Sequence, residues 1–388
     1  MFARRTNWNL ARNRYTDAVE SARASGRTLL DLTASNPTTI GLHYEEKKIR
    51  EALTHPNALR YEPASKGILP ARQAVSEYYA ELGRIVDAEQ LVLTVSTSEA
   101  YTYCFRLLCD PGDEVLIPAP SYPLFEFLAD LQDVKLVPYE LVYDHGWQIE
   151  FESLRRAITP RSRAVMVVHP NNPTGSYLKH WEIERLNDLC REHSLAIVAD
   201  EVFLDYNLEP QAVRPTLAAN TDALTFTLSG LSKISALPQL KVAWLCVSGP
   251  EHEAREAMAR LEVIADTYLS PNAPVQWAIP ALLGTRRNIQ QQLCDRVRQN
   301  LAELDSQLVS HSALCRLRVE GGWYAVLRVP VTRTDEELAI ALLEHEGVLV
   351  HPGHFFDFPC DGYVVLSLIT PNDEFREGVR RMLEFLNL

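Results

Sequence analysis

Ala164-Val165-Met166-Val167-Val168 runs straight into His169-Pro170-Asn171-Asn172-Pro173-Thr174-Gly175. An apolar run too short for a helix ends in a loop crowded with proline, asparagine and glycine, which reads as a buried strand delivering the chain to a rigid turn. Asn172-Pro173 is a candidate cis bond within that turn. The same pattern recurs on both sides: residues 91–95, 114–117, 134–138, 195–199, 224–228 and 242–247 are apolar runs of strand length. Helical patterns lie between them. Ala71, Ala74, Val75, Tyr78, Tyr79 and Leu82 form one stripe closed by Gly83, and Ile183, Leu186, Leu189 and Cys190 form another. Seven near-continuous apolar strands alternating with helices predict an α/β fold built on a mostly parallel, seven-stranded sheet covered on both faces.

The chain of 388 residues is long enough for two or three domains at about 150 residues each. After residue 285 the pattern changes to a long polar helix over 288–309. Strands near 316–319, 324–329 and 363–368 follow, with helices near 335–346 and 373–388. The expected division is therefore a large domain over 36–285, a smaller α+β domain over 286–388, and an N-terminal segment 1–35 that joins the small one. Lys plus Arg is 38 and Asp plus Glu is 51, so the net charge is 38 − 51 = −13. That balance argues against a nucleic-acid or anionic-membrane partner, either of which needs a basic footprint. No apolar run approaches the roughly 20 residues that span a bilayer. The N-terminus lacks the apolar core of a secretion signal. The seven cysteines are scattered and form no Cys-x-x-Cys pair, which suggests neither disulfides nor a zinc site. A cytoplasmic enzyme without a metal is the expectation.

In doubly wound sheets ligands gather at the carboxyl ends of strands, so the residues just past each apolar run carry the functional information. Ser96-Thr97-Ser98-Glu99 follows the first run and opens a helix, reading either as a plain cap or as an anion site. Tyr122 stands in Pro118-Ala119-Pro120-Ser121-Tyr122-Pro123, after the second. Asn172 lies in the quoted loop. Asp200-Glu201 ends the run 195–199, where a buried carboxylate needs a partner. Gly230-Leu231-Ser232-Lys233 follows the run 224–228 and places an amine in a small-residue turn, a candidate for covalent catalysis. Lys241 adds positive charge nearby.

Taken together, these segments resemble the class I/II aminotransferases that use pyridoxal phosphate and have fold type I. The resemblance runs from Asn36-Pro37 to the C-terminal helix, in the family's order. It implies that Lys233 forms an aldimine with the cofactor and carries the proton between substrate and cofactor, while Asp200 pairs with the ring nitrogen. Asn172 matches the residue facing the phenolic oxygen, and Tyr122 the aromatic stacked on the ring. Ser96, Thr97 and Ser98 match the phosphate cup, with Ser232 and Lys241 contributing. Tyr61 matches a tyrosine that reaches the phosphate of a neighbouring subunit, implying a homodimer with shared sites. The segment 266–272 is a further expected contributor to the partner's site.

Three positions depart from the family's pattern. Phe203 stands where a tyrosine is usual, with Tyr206 the nearest substitute. Lys241 stands where the family has a phosphate-binding arginine, a point charge instead of a fork. Val365, in Tyr363-Val364-Val365-Leu366-Ser367, stands where the arginine that grips the substrate carboxylate is expected. His351-Pro352-Gly353-His354-Phe355-Phe356 reads as a substrate-shaping loop, and Gly321-Gly322-Trp323-Tyr324 as a close backbone approach before a strand. The resemblance implies an aminotransferase moving an amino group from an amino acid to a 2-oxo acid in ping-pong fashion. Val365 keeps an alternative open: a lyase, a decarboxylase or an amine transaminase using the same cofactor.

Overall fold

The computed structural model describes residues 1–122, 125–209 and 214–386. A short strand β1 (Leu30–Asp31) precedes the main sheet. That sheet has eight strands: β2 (Leu91–Thr94), β3 (Glu114–Ala119), β4 (Lys135–Tyr143), β5 (Trp147–Ile149), β6 (Ser162–Val168), β7 (Ala196–Asp200), β8 (Thr225–Gly230) and β9 (Ala243–Ser248). They lie in the order β2-β9-β8-β7-β6-β3-β4-β5. The pairs from β4 through β8 are parallel, whereas β9 is antiparallel to both β2 and β8, and β5 to β4. Seven strands were expected and eight are present. The extra one, β5, has only three residues, with Trp147 and Ile149 buried around a less buried Gln148. That is too short for alternation to be read.

Alternation along β7 feeds two cores. Ala196 and Val198 pack with Tyr101, Phe105 and Phe125 on one face, while Ile197 and Ala199 pack with Leu186 and Leu189 on the other. Helix Thr97–Leu108 covers the first face and helix His180–His193 the second. The register matters most at one edge. Val168 pairs with Asp200, Asp200 with Leu228, Gly230 with Ala243, and Ala243 with Thr94. The reversed strand β9 thus brings its first residue, Ala243, to the edge where the parallel strands end.

Beyond helix Arg286–Leu308 lie β10 (Cys315–Arg316), β11 (Tyr324–Arg328), β12 (Val348–Leu349), β13 (His351–Pro352) and β14 (Tyr363–Ser367). β10-β11-β14-β13 form a second, antiparallel sheet, and β12 pairs in parallel with β1. Leu32 and Tyr15 from the N-terminal segment join Val365, Trp323 and Phe375 in one core, and the Tyr15 hydroxyl donates to Val350 O at 2.8 Å. Helix Asp335–Glu346 shows how local sequence sets its own limits. Thr334 and Glu337 form a capping box at its start, and Gly347 ends it in the left-handed region. The last helix is Asn372–Leu386; the final two positions of the stretch expected as helix, 387 and 388, lie outside the described residues, as does Pro123.

Gly321 makes the close approach that its sequence suggested. Its N–H donates to Gly175 O at 2.9 Å. A Cβ there would sit 2.5 Å from the Tyr177 ring and 2.7 Å from Tyr206 O. Gly175 itself has φ +71° and is as tightly covered. The loop after β6 is thereby clamped against the connection between β10 and β11.

Candidate active site

The edge where β6, β7 and β8 end opens into a cavity of about 280 Å³, near the lower end of small-molecule sites, on the order of 300 Å³. Thr97, Tyr122, Asn172, Asp200, Ser232 and Lys233 line one side, while Ser35, Tyr324, His351 and Phe356 line the wall contributed by the N-terminal segment and second sheet.

Lys233 lies in a four-residue helix, Leu231–Ile234, too short to be stable alone. Side chains from elsewhere hold its carbonyls. Tyr206 donates to Lys233 O at 2.6 Å, Gln290 to Ile234 O at 2.9 Å, and Tyr44 to Ala236 O at 2.8 Å. The Lys233 ammonium sits 4.8 Å from the Trp323 ring centre and 5.5 Å from that of Phe203. Burial against these rings pushes its pKa down to about 8, only partly opposed by the charge of Asp200. An amine so poised is available as a nucleophile and as a base near neutral pH.

Asp200 follows the parity of Ala196 and Val198 and faces the cavity side. Its Oδ2 accepts from the Tyr101 hydroxyl at 2.7 Å and its Oδ1 from Val202 N at 3.0 Å. Burial raises its pKa, and these two bonds and Lys233 oppose the rise. A cation placed against it would restore the ionised form. Glu201 has the opposite parity and faces away. Thr216 and Leu217 N donate to it, and burial lifts its pKa to about 8.

The loop after β6 is rigid for identifiable reasons. His169 accepts from Leu178 N at its Nδ1 and bonds Pro215 O through its Nε2, and burial lowers its pKa to about 4, so it is a neutral structural ring. Asn171 Oδ1 accepts from Thr174 N and Oγ1. His169-Pro170 and Asn172-Pro173 are both cis. Asn172, in contrast, lines the cavity, and its side-chain oxygen is buried with no partner among the described residues. Its amide nitrogen carries the N–H donors that an oxygen acceptor in the cavity would need. At the start of helix Thr97–Leu108, Ser96 caps by accepting from Glu99 N at 3.1 Å, while Thr97 lines the cavity.

The sequence-predicted residues do not all meet here. Ser96 and Ser98 flank Thr97 without lining the cavity. Lys241 is exposed, with φ +52°, and is not among the lining residues. Tyr61 is 78% exposed and lies beside Asp266, Leu269 and Asn272 in a separate surface hollow. Tyr206, the nearest substitute for a tyrosine at 203, spends its hydroxyl on the Lys233 carbonyl, and Phe203 lines the cavity instead. Sequence reading missed Tyr101, Trp323 as the surface under Lys233, and Ser35. Tyr101 was within reach, because it lies four residues after Thr97 on the same helix face.

The chain is similar to known proteins over nearly its whole length. Residues 27–381 match the family model described as aminotransferase class I and II. An alanine aminotransferase of Mycobacterium tuberculosis is 30% identical over 377 residues, covering 94% of this chain and 86% of that protein. A glutamate-pyruvate aminotransferase of Escherichia coli is 28% identical, covering 93% and 91% respectively. Among solved structures, a mutant aspartate aminotransferase of Thermus thermophilus superposes with a TM-score of 0.86 at 27% identity, covering all of both chains. An alanine aminotransferase of Pyrococcus furiosus reaches 0.90 at 23%, also over all of both, and supports the fold. The lyase, decarboxylase and amine-transaminase alternatives raised by Val365 are not favoured by these relatives.

Proposed function

The chain belongs to the class I and II aminotransferases, which depend on pyridoxal phosphate, and on that footing we propose the residue roles of its active site. One observation carries them: the lowered amine of Lys233, the buried acid of Asp200 and the side-chain amide of Asn172 line one cavity. Those groups fit the cofactor. Lys233 would hold its aldehyde carbon, Asp200 its ring nitrogen, Asn172 its phenolic oxygen and Tyr122 its ring face. Thr97, with Ser96 and Ser98 beside it at the helix start and Ser232 across from it, would hold the phosphate. Lys241, and Tyr61 from a second subunit, would complete that contact in a homodimer.

Bound pyridoxal phosphate supplies an electron sink that makes the substrate's α-hydrogen acidic. The chain supplies the proton handling. Nζ of Lys233, as a neutral amine, would take the proton from the substrate's α-carbon and return it on the cofactor side, and the rings of Trp323 and Phe203 beside it would limit competition from water. Asp200 would stay ionised against a cationic ring nitrogen, and Tyr101 and Val202 N keep its oxygens aimed. The carbonyl clamps from Tyr206, Gln290 and Tyr44 fix the direction of the Lys233 side chain.

The substrates are an amino acid and a 2-oxo acid, and the names of the relatives make alanine, glutamate and pyruvate the first to try. The division at 35 and 285, and a cytoplasmic location, belong to the same proposal. No described helix is long and apolar enough to cross a membrane. The test is a half-reaction screen on the purified holoenzyme. Added amino acid should bleach the cofactor's visible absorbance, and a 2-oxo acid should restore it. Release of ammonia or carbon dioxide without bleaching would contradict the proposal.

A further inference from the structure

With valine at 365, the negative charge of an amino acid's carboxylate needs another receiver. β13 and β14 pair antiparallel with His351 directly opposite Val365, so both side chains leave the sheet on one face with Cβ atoms roughly 5 Å apart. β11 flanks β14 on its other edge, with Val326 opposite Val365 and Tyr324 opposite Ser367, which puts Tyr324 on that face too. Val365 is fully buried and does not line the cavity, whereas His351 and Tyr324 both do. Val365 is thus buried on the sheet face that carries two lining residues, and its cross-strand neighbour His351 stands at the cavity wall. Among the lining residues, only Lys233 and His351 have side chains able to carry positive charge, and Lys233 is committed to the chemistry.

We propose that His351 receives the substrate's α-carboxylate as an imidazolium, with the Tyr324 hydroxyl as a second donor. The proposal rests on the aminotransferase reading above and adds the determinant that selects carboxylate-bearing substrates. Burial keeps the ring below its ordinary pKa, opposed by Asp31 and by the Thr33 backbone. The groups packed about it are Asp31 from β1, the Phe356 ring 5.6 Å away and the Phe355 ring at 6.5 Å, with Tyr324, Asp200 and Lys233 lining the same cavity. Asp31 is already engaged, its Oδ1 accepting from both Thr33 N and the Thr33 hydroxyl. The ligand-free ring is therefore mostly neutral at neutral pH, and an arriving carboxylate draws a proton onto it. Carboxylate affinity is greatest below the free ring's pKa and falls as pH rises between the free and the bound values.

The experiment titrates the holoenzyme with pyruvate, a carboxylate with no amine of its own, while NMR follows the resonances of the eleven histidines across the pH range. One imidazole, the one lost in His351→Gln, should show a higher pKa with pyruvate than without. His351→Gln should weaken pyruvate binding roughly 10- to 100-fold at mildly acid pH and much less at alkaline pH, the loss expected for one charge-assisted hydrogen bond. Adding Val365→Arg to that variant should return the affinity. The proposal is overturned if no imidazole changes its pKa on pyruvate binding, a result that needs no folded variant, or if His351→Gln binds pyruvate like the parent at every pH. An enzyme bleached by amino acids whose imidazoles ignore pyruvate would keep the aminotransferase reading and lose this one. An enzyme that no amino acid bleaches would lose the reading itself.

Discussion

Lys233 gains its reactivity from what surrounds it. A lysine in water keeps its proton until about pH 10.4, and an amine that holds a proton cannot attack an aldehyde. The rings of Trp323 and Phe203 strip water from this one and move its midpoint to about 8, a shift that the nearby charge of Asp200 limits. The direction sets a prediction. Below that midpoint, the rate at which apoprotein takes up pyridoxal phosphate should climb about tenfold per pH unit, as the neutral amine becomes more abundant. It should level off near pH 8, read as growth of visible absorbance after mixing. A rate still climbing toward the pKa of a free lysine would show that the amine is not desolvated. Asp200 owes its position to parity. As an even-numbered residue of β7 it looks into the cavity, while Glu201 beside it is turned to the opposite face and bonded to Thr216 and Leu217.

At the scale of elements, the site depends on loops held by other loops. The turn carrying Asn172 is pressed against Gly321, where a side chain would sit 2.5 Å from the Tyr177 ring. Gly321→Ala should cost about 1–3 kcal/mol of stability, as overpacking does, and should loosen cofactor binding because Asn172 moves with its loop. Denaturant unfolding with and without added cofactor measures both, and an unchanged midpoint would mean the approach is softer than described. Seven of the eight strands of the large sheet were legible because each contains a short, mostly apolar run with a break at its end. Lys233, Asp200, Asn172 and Tyr122 stood just past those breaks. β5 and β13 were not legible, since strands of two or three residues have no period to detect. Nor were the roles of Ser35 and Tyr324, which reach the cavity, and of Trp323, which packs under Lys233, all from segments far away in the chain. His351 appeared only as part of a loop, and its pairing with Val365 exists only in the folded sheet.

At the scale of the whole molecule, the cavity lies between two sheets, and Tyr61 stands away from it, 78% exposed. If Tyr61 serves a second subunit, the sites are shared, and two crippled variants should repair one another. Lys233→Ala and Tyr61→Phe, each inactive or weak alone, should regain activity when unfolded and refolded together, because a mixed dimer contains one site with both residues intact. No gain on mixing would assign Tyr61 a role within its own chain, or none. The central claim concerns a single bond and can be tested directly. The holoenzyme is reduced with borohydride and digested, and the peptide carrying the cofactor's mass is sequenced. The expected result is one labelled peptide with the modification on Lys233; a label on Lys241 or another lysine, or no label on a protein that holds the cofactor, would contradict it.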